Sequence, residues 1–149
     1  MSSWRSRTLT DIVLELHVPD FAKAKAFYRK LGFKTVWERK PVGTNGYLVM
    51  RQGASVICFY CGNKNVYRHP YFKKFSSSSP KGYAMEIAIP VQNIIAFYKK
   101  VVHALGKHFI IQPLTAQSYD IVKKRDFRIR DCFGFYIRFT EPMNVLYKE

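Results

Sequence analysis

Glu15 and His17 lie two residues apart in the run Ile12-Val-Leu-Glu-Leu-His-Val-Pro19. In a strand that spacing puts both side chains on one face. A carboxylate beside an imidazole can act as a general acid–base pair, because histidine titrates near neutrality. With Glu86 it can also form part of a metal site. A polar wall held by local hydrogen bonds is the simpler reading. Cys58 and Cys61 have CxxC spacing, but no second pair follows, and on a strand their thiols point to opposite faces, unlike the helix start of a redox motif. His103 and His108 flank Gly106 and read as solvated surface. The stretch from Lys64 to Phe75 interleaves Tyr and Phe with Lys and Arg. Such a stretch can stack bases while neutralising phosphates. It also suits a linker whose aromatics anchor it or cover a cleft. That second reading is preferred, because no helix-turn-helix, zinc-finger or RNP signature accompanies it. Lys123–Arg130 adds a further basic patch.

These residues sit in a chain of 149 residues with 25 Lys and Arg against 10 Asp and Glu, a formal net charge of +15. Such a field attracts anionic partners and repels cationic ones. Hydrophobic residues make up 48%, which excludes wholesale disorder. The sequence contains no apolar run of about 18 residues that would cross a membrane as a helix. Residues 1–7 contain no apolar segment of a secretory leader, and three cysteines form no disulfide framework. A cytoplasmic location is therefore expected.

The elements that must position the candidates recur twice. Ala26-Phe-Tyr-Arg-Lys30 returns as Ala96-Phe-Tyr-Lys-Lys100, each copy after a short alternating run and a proline, and each followed by Leu-Gly. Val56-Ile-Cys-Phe59 and Tyr136-Ile-Arg-Phe139 repeat the closing strand. Self-similarity in matched order means two copies of one supersecondary unit. Each reads as β-α-β-β-β. The first has a strand over 11–18, a helix over 21–31 with Asp20 as N-cap and Gly32 as stop signal, then strands over 33–39, 46–51 and 54–60. The second has a strand over 82–89 and a helix over 92–105 with Ile94, Ile95, Tyr98, Val101, Val102 and Leu105 at helical spacing. Strands follow over 107–112, 117–122, 127–130 and 134–140. One domain is expected, built from modules 11–60 and 82–142, a basic aromatic linker 61–81 and a tail 143–149.

The segment Leu16-His-Val-Pro-Asp-Phe-Ala-Lys-Ala-Lys-Ala-Phe-Tyr-Arg-Lys-Leu-Gly-Phe33 resembles the opening of the vicinal oxygen chelate superfamily, which includes glyoxalase I, bleomycin-resistance proteins and extradiol dioxygenases. The tail from Asp126 to Pro142 is similar to the family's closing strand-turn-strand, except that Asp131-Cys-Phe-Gly134 replaces the usual Asp-Pro-Asp-Gly. The resemblance implies an α+β fold: two tandem βαβββ modules whose mixed sheets curl around a cavity. Metal-dependent members place four ligands on the first and fourth strands of the modules. The matching positions here are Val13, Cys58, Glu86 and Arg138. Valine cannot ligate, and arginine is a permanent cation. No metal and no other cofactor is therefore expected.

Strand parity assigns the faces. Leu14, Leu16, Val18, Ile87, Ile89, Val91, Ile57, Phe59, Ile137 and Phe139 should pack on the helices. Val13, Glu15, His17, Glu86, Ala88, Pro90, Val56, Cys58, Tyr60, Tyr136, Arg138 and Thr140 should face the cavity. Glu86 and Arg138 either pair with each other or leave Arg138 free to clamp a carboxylate or phosphate. The resulting expectation is a metal-free relative of the bleomycin-resistance branch, binding a small anionic or neutral aromatic molecule. Glu15, His17, Trp37, Cys58, Glu86, Tyr136 and Arg138 would line the site. No catalytic residue is assigned. The charge disfavours the cationic bleomycin-type drugs. A homodimer is expected by analogy, with no membrane partner. The alternatives are a metal-dependent lyase, isomerase or dioxygenase with an unconventional site, a nucleic-acid-associated basic module, and a scaffold without ligand.

Overall fold

The computed structural model describes residues 12–119 and 122–142, except for the side chains of 117–119, 122 and 123. The N-terminal stretch read for a leader, the start of the first module at residue 11 and the tail 143–149 lie outside them. The first module runs β1 (Glu15–Val18), α1 (Phe21–Lys30), β2 (Lys34–Arg39), β3 (Tyr47–Gln52) and β4 (Ser55–Cys61). The second runs β5 (Ile87–Pro90), α2 (Ile94–Leu105), β6 (Ile110–Tyr119), β7 (Val122–Arg130) and β8 (Tyr136–Thr140). Each module forms a four-stranded mixed sheet, ordered β1-β4-β3-β2 and β5-β8-β7-β6. In each, the first and last strands pair in parallel and the rest antiparallel. The fold is the expected α+β pair of βαβββ units.

Local chemistry explains the helices. Asp20 is extended and its carboxylate accepts from the Lys23 amide at 3.0 Å, satisfying a donor that α1 leaves orphaned. Asn93 caps α2 in the same way, accepting from the Ala96 amide at 3.3 Å. After α1 the chain needs a left-handed residue, and Gly32 takes φ +87° there. Gly62, past β4, is needed for close approach: a Cβ would lie 2.6 Å from the Phe21 ring. α2 buries Ile94, Val101 and Leu105, but Ile95 faces solvent.

Three expectations about the second module are corrected. The strand expected over 82–89 starts only at Ile87. The chain turns at Gly82, whose carbonyl accepts from the Met85 amide at 2.9 Å, and Ala84 is left-handed at φ +61°. Residues 110–112 and 117–119 of the two strands expected over 107–112 and 117–122 belong to one long strand, β6, with Lys107–Phe109 in a 3-10 turn before it; residues 120 and 121 lie outside the described residues. Register shifts at Ile110/Gln112 and Gln112/Thr115 break its alternation. β7 begins at Val122, five residues before the expected 127.

The two modules share one core. Leu16, Phe27, Tyr28, Phe59, Ile89, Val101, Phe127 and Phe139 belong to a single buried cluster. Phe27 meets Phe109 across the module boundary at 5.1 Å, edge to face. The Tyr28 hydroxyl on α1 donates to Asp131 at 2.6 Å, in the turn between β7 and β8. The helix-side faces of both sheets therefore pack into common ground. The faces carrying the candidate site residues lie on the other side of each sheet.

Candidate functional site

Parity places the expected faces as read: Leu16, Val18, Ile57, Phe59, Ile87, Ile89, Ile137 and Phe139 are buried, while Val13, Val56, Glu86, Ala88 and Pro90 are exposed. Cys58 and Thr140, expected to face the cavity, are buried. Both are short side chains beside larger neighbours. Cys58 sits between Glu15 and Val49 in the middle of its sheet, and Thr140 lies opposite the fully buried Asp126.

The seven candidate residues fall into two groups, one on each sheet. On the first sheet, pairing sets Glu15, Cys58, Val49 and Trp37 in one row across four strands. The next row holds His17, Tyr60, Tyr47 and Arg39. His17 Nε2 lies 3.0 Å from Glu15 Oε2. Tyr47 stands beside Cys58 and Glu15 on this face, next to the row that holds them. Burial first, then the neighbouring Cys58 and Glu15, raises its phenol well above the ordinary value. The His17 ring meets its strand neighbour Tyr60 at 4.6 Å, and the linker closes over it with His69 at 5.1 Å and Phe72 at 5.2 Å. This is the anchoring expected of its aromatics.

Burial lowers the His17 pKa, more than Glu15 raises it. Its Nδ1 is buried without a hydrogen-bond partner among the described residues. A depressed folded pKa contributes stability above the unfolded value, and that stability is lost as pH falls through the folded one. Thermal melts from pH 7.5 to 5 should therefore show the melting temperature falling below about pH 6.5. His17→Gln should flatten that limb, and an unchanged limb would place the titration elsewhere.

On the second sheet, Arg128 and Arg138 stand directly opposite each other on β7 and β8. Like charges so placed repel, so the pair needs carboxylates. Arg138 Nε donates to Glu86 Oε2 at 3.1 Å, and Arg138 Nη1 lies 3.7 Å from Asp126 Oδ2. Arg128 Nη2 is also 3.7 Å from Asp126 Oδ2, and its Nε is 3.8 Å from Glu86 Oε1. Arg128 Nη1 donates to the Tyr136 hydroxyl at 3.0 Å, the main cause of its raised pKa. Gln112 holds the other Asp126 oxygen at 3.0 Å. Of the two sequence readings of Arg138, the Glu86 pairing is present.

Sequence reading missed Tyr47, Gln112, Asp126 and Arg128. Asp126 and Arg128 share a strand face by parity, a signal visible once β7 is known to start before 127. Trp37 is half-exposed and faces Tyr47 at 6.4 Å and the Arg39 guanidinium at 5.6 Å. His103 and His108 join neither group; His108 packs against Phe109 at 4.1 Å. All three cysteines are free, and burial pushes the Cys132 thiol up to about 12. Two surface hollows of about 460 and 480 Å³ are lined by Gly32, Lys34, Thr35 and neighbours, and none of the seven candidates lines either.

The register also makes the modules' positions equivalent. Cys58 pairs with Glu15 and Arg138 with Ala88, so Val13 and Glu86, each two residues earlier, correspond. The four positions that the resemblance links to metal thus hold an alkyl group, a buried thiol, a carboxylate and the guanidinium paired with it. That donor set does not fit a divalent ion. Among the described residues, no three His, Cys, Asp or Glu side chains converge to hold one.

Paired βαβββ modules with a polar face on each sheet define a class of small two-module α+β proteins. The chain belongs to the Glyoxalase/Bleomycin resistance protein/Dioxygenase superfamily, which matches residues 12–139. Among curated protein sequences none matches it. Among solved structures it is similar to the hypothetical protein SA1046 from S. aureus, with TM-score 0.65 and 19% identity over 91% of this chain and 96% of that one. TioX from Micromonospora sp. ML1 gives TM-score 0.61 and 19% identity, covering 93% and 100%. A bleomycin-binding protein solved with bleomycin gives TM-score 0.59 and 14% identity, covering 91% and 100%. At these identities the likeness is one of fold.

Proposed function

We propose that this protein binds a small anionic or neutral aromatic molecule non-covalently and without a metal. The observation that carries this is Arg138: a guanidinium paired to Glu86 where the family resemblance would put a metal ligand. A planar fork of donors suits a carboxylate or phosphate. Arg128 and the Tyr136 hydroxyl extend that polar surface, and Glu15, His17 and Trp37, with Cys58 buried beneath them, supply a second, more aromatic one. The net charge of +15 concentrates anions near both and opposes cations. The two faces lie on separate sheets of one chain, so a cleft lined by both is completed by a second copy in a homodimer. Exposed Val56 and Trp37 on the first sheet, and Val13 just before it, support such a cover. A cytoplasmic protein fits the cysteine usage; among the described residues no helix is long and apolar enough to cross a membrane.

Differential scanning fluorimetry tests the reading. The probes are 4-hydroxybenzoate, phenyl phosphate, the cation benzamidine, and Zn, Mn, Ni and Fe(II) salts. At about ten times Kd an anionic probe should raise the melting temperature by about 3–5 °C. Benzamidine should leave it unchanged, and Arg138→Gln and Arg128→Gln should each shrink the anionic shift. A metal-induced rise lost in Glu86→Ala would overturn the proposal in favour of a metal-dependent enzyme using Glu15, His17 and Glu86. A response to benzamidine alone would overturn the anionic ligand class.

A further inference from the structure

The linker between the modules does more than cover His17. It is built on two short 3-10 turns, Lys64–Arg68 and Phe72–Lys74. Its inner side is fixed. Val66 is buried, the Asn63 and Asn65 amides donate to the Gly43 carbonyl at 2.9 and 3.1 Å, and His69 and Phe72 pack on His17. His69 Nδ1 accepts from the Tyr71 and Phe72 amides at 3.1 and 3.2 Å, fixing the bend between the turns. The outer side is not used by the fold. Tyr71 is 55% exposed, Phe75 51% and Tyr83 85%. The Tyr71 and Phe75 rings stand 5.8 Å apart, with the Lys74 ammonium 3.9 Å from one centroid and 5.3 Å from the other. Lys81 lies 5.6 Å from Tyr67.

The charge is one-sided. From Gly62 to Met85 the chain contains no Asp or Glu and five Lys or Arg. Among the described residues none of the five forms an ion pair. A held backbone thus displays aromatic rings with unneutralised cations among them. Bases offer π-faces to such rings, and phosphates offer the missing charge. An anionic membrane would supply charge too, but insertion favours an amphipathic helix with Leu, Phe or Trp along one face. Turns of five and three residues bearing Tyr and Lys do not provide one.

We propose that the outer side of this linker is a docking surface for single-stranded nucleic acid, with Tyr71 and Phe75 stacking on bases and Lys73 and Lys74 contacting phosphates. The surface is separate from the small-molecule site and does not depend on it.

Fluorescence anisotropy of the full chain with labelled 15-nucleotide oligo(dT) and oligo(rU), titrated with salt, tests the proposal. A protein of +15 charge attracts any polyanion, so localisation decides. Lys73→Glu with Lys74→Glu should weaken binding more than about tenfold. Lys99→Glu with Lys100→Glu on α2, an exposed pair giving the same charge change, should weaken it less than about threefold. Tyr71→Ala with Phe75→Ala, at constant charge, should weaken it about tenfold or more. A 15-base-pair duplex should bind less tightly. Circular dichroism checks that each variant is folded, and the aromatic pair stands as an independent test if the charge-reversed pair is not. Equal losses from both lysine pairs, an aromatic variant that binds normally, or tighter duplex binding would each overturn the proposal. So would absence of binding, or binding only to phosphatidylglycerol vesicles.

Discussion

Replacing Asp131 with Ala should lower stability by about 3–5 kcal/mol, a fall in melting temperature of about 10 °C or more. Asp131 is 2% exposed and closes the turn between β7 and β8. Its Oδ1 accepts from the Phe133 and Phe135 amides, both at 2.8 Å, and its Oδ2 from the Tyr28 hydroxyl at 2.6 Å. Alanine would leave three donors without their acceptor, two of them backbone amides of the turn. Leaving a buried donor unpaired costs about 1–3 kcal/mol each, and the total is held below their sum because the turn can relax toward water. Tyr28→Phe removes only the inter-module bond and should cost about 1–2 kcal/mol. Chemical denaturation of the two single variants and the double variant checks the assignment. Strict additivity would mean that the hydroxyl and carboxylate do not communicate.

The pH dependence of the same group has a definite sign. Burial raises the Asp131 pKa and outweighs the hydrogen bonds that lower it. A carboxyl whose folded pKa is raised contributes stability that is full below the unfolded value, near 3.8, and is lost as pH rises through the folded one. The stability difference between wild type and Asp131→Asn should therefore shift in favour of wild type on acidification from neutral pH. The turn is tolerated at neutral pH because three hydrogen bonds offset most of the desolvation, not because the carboxylate prefers the site.

What was legible in the sequence was what local patterning dictates. Alternation around Leu16 and Val18 and around Ile137 and Phe139 assigned the buried faces. The caps Asp20 and Gly32 bounded α1 to within a residue or so. What was illegible was set by contacts distant in sequence or by broken alternation. The Tyr28–Asp131 bond spans 103 positions, and no periodicity reports it. Yet that bond, with the Phe27–Phe109 contact, helps set one sheet against the other and so decides which candidate residues share a surface. Parity names a face but not what that face looks toward. β6 and β7 were misjudged because register shifts near Gln112 and the run Lys123-Lys-Arg-Asp hide the two-residue period. Starting β7 at residue 127 left Asp126 outside the strand, and with it the carboxylate that makes two opposed arginines tolerable.

That carboxylate carries the second large expected effect. Asp126→Asn should destabilise the protein by about 3 kcal/mol, the usual cost of removing one partner from a buried charge pair. Asp126 is fully buried, with a guanidinium nitrogen of both Arg128 and Arg138 at 3.7 Å. Asparagine keeps the shape and an acceptor for Gln112. The loss would therefore report charge rather than packing. Two guanidinium groups would then share only Glu86, which is partly open to solvent and screened. Adding Arg128→Gln should recover at least about 1 kcal/mol, because it removes the repulsion that Asp126 offsets. Failure to recover would mean that the arginines do not feel each other. On the proposed function the same variant should move ligand binding the opposite way. The described cluster of Glu86, Asp126, Arg128 and Arg138 is formally neutral, and Asp126→Asn makes it cationic. An anionic aromatic probe should then give a larger thermal shift on a less stable protein. A stability loss without that gain would leave the cluster as a structural device, with the ligand elsewhere. Opposite signs would show that the carboxylate balances a surface built to hold an anion, trading affinity for a folded sheet.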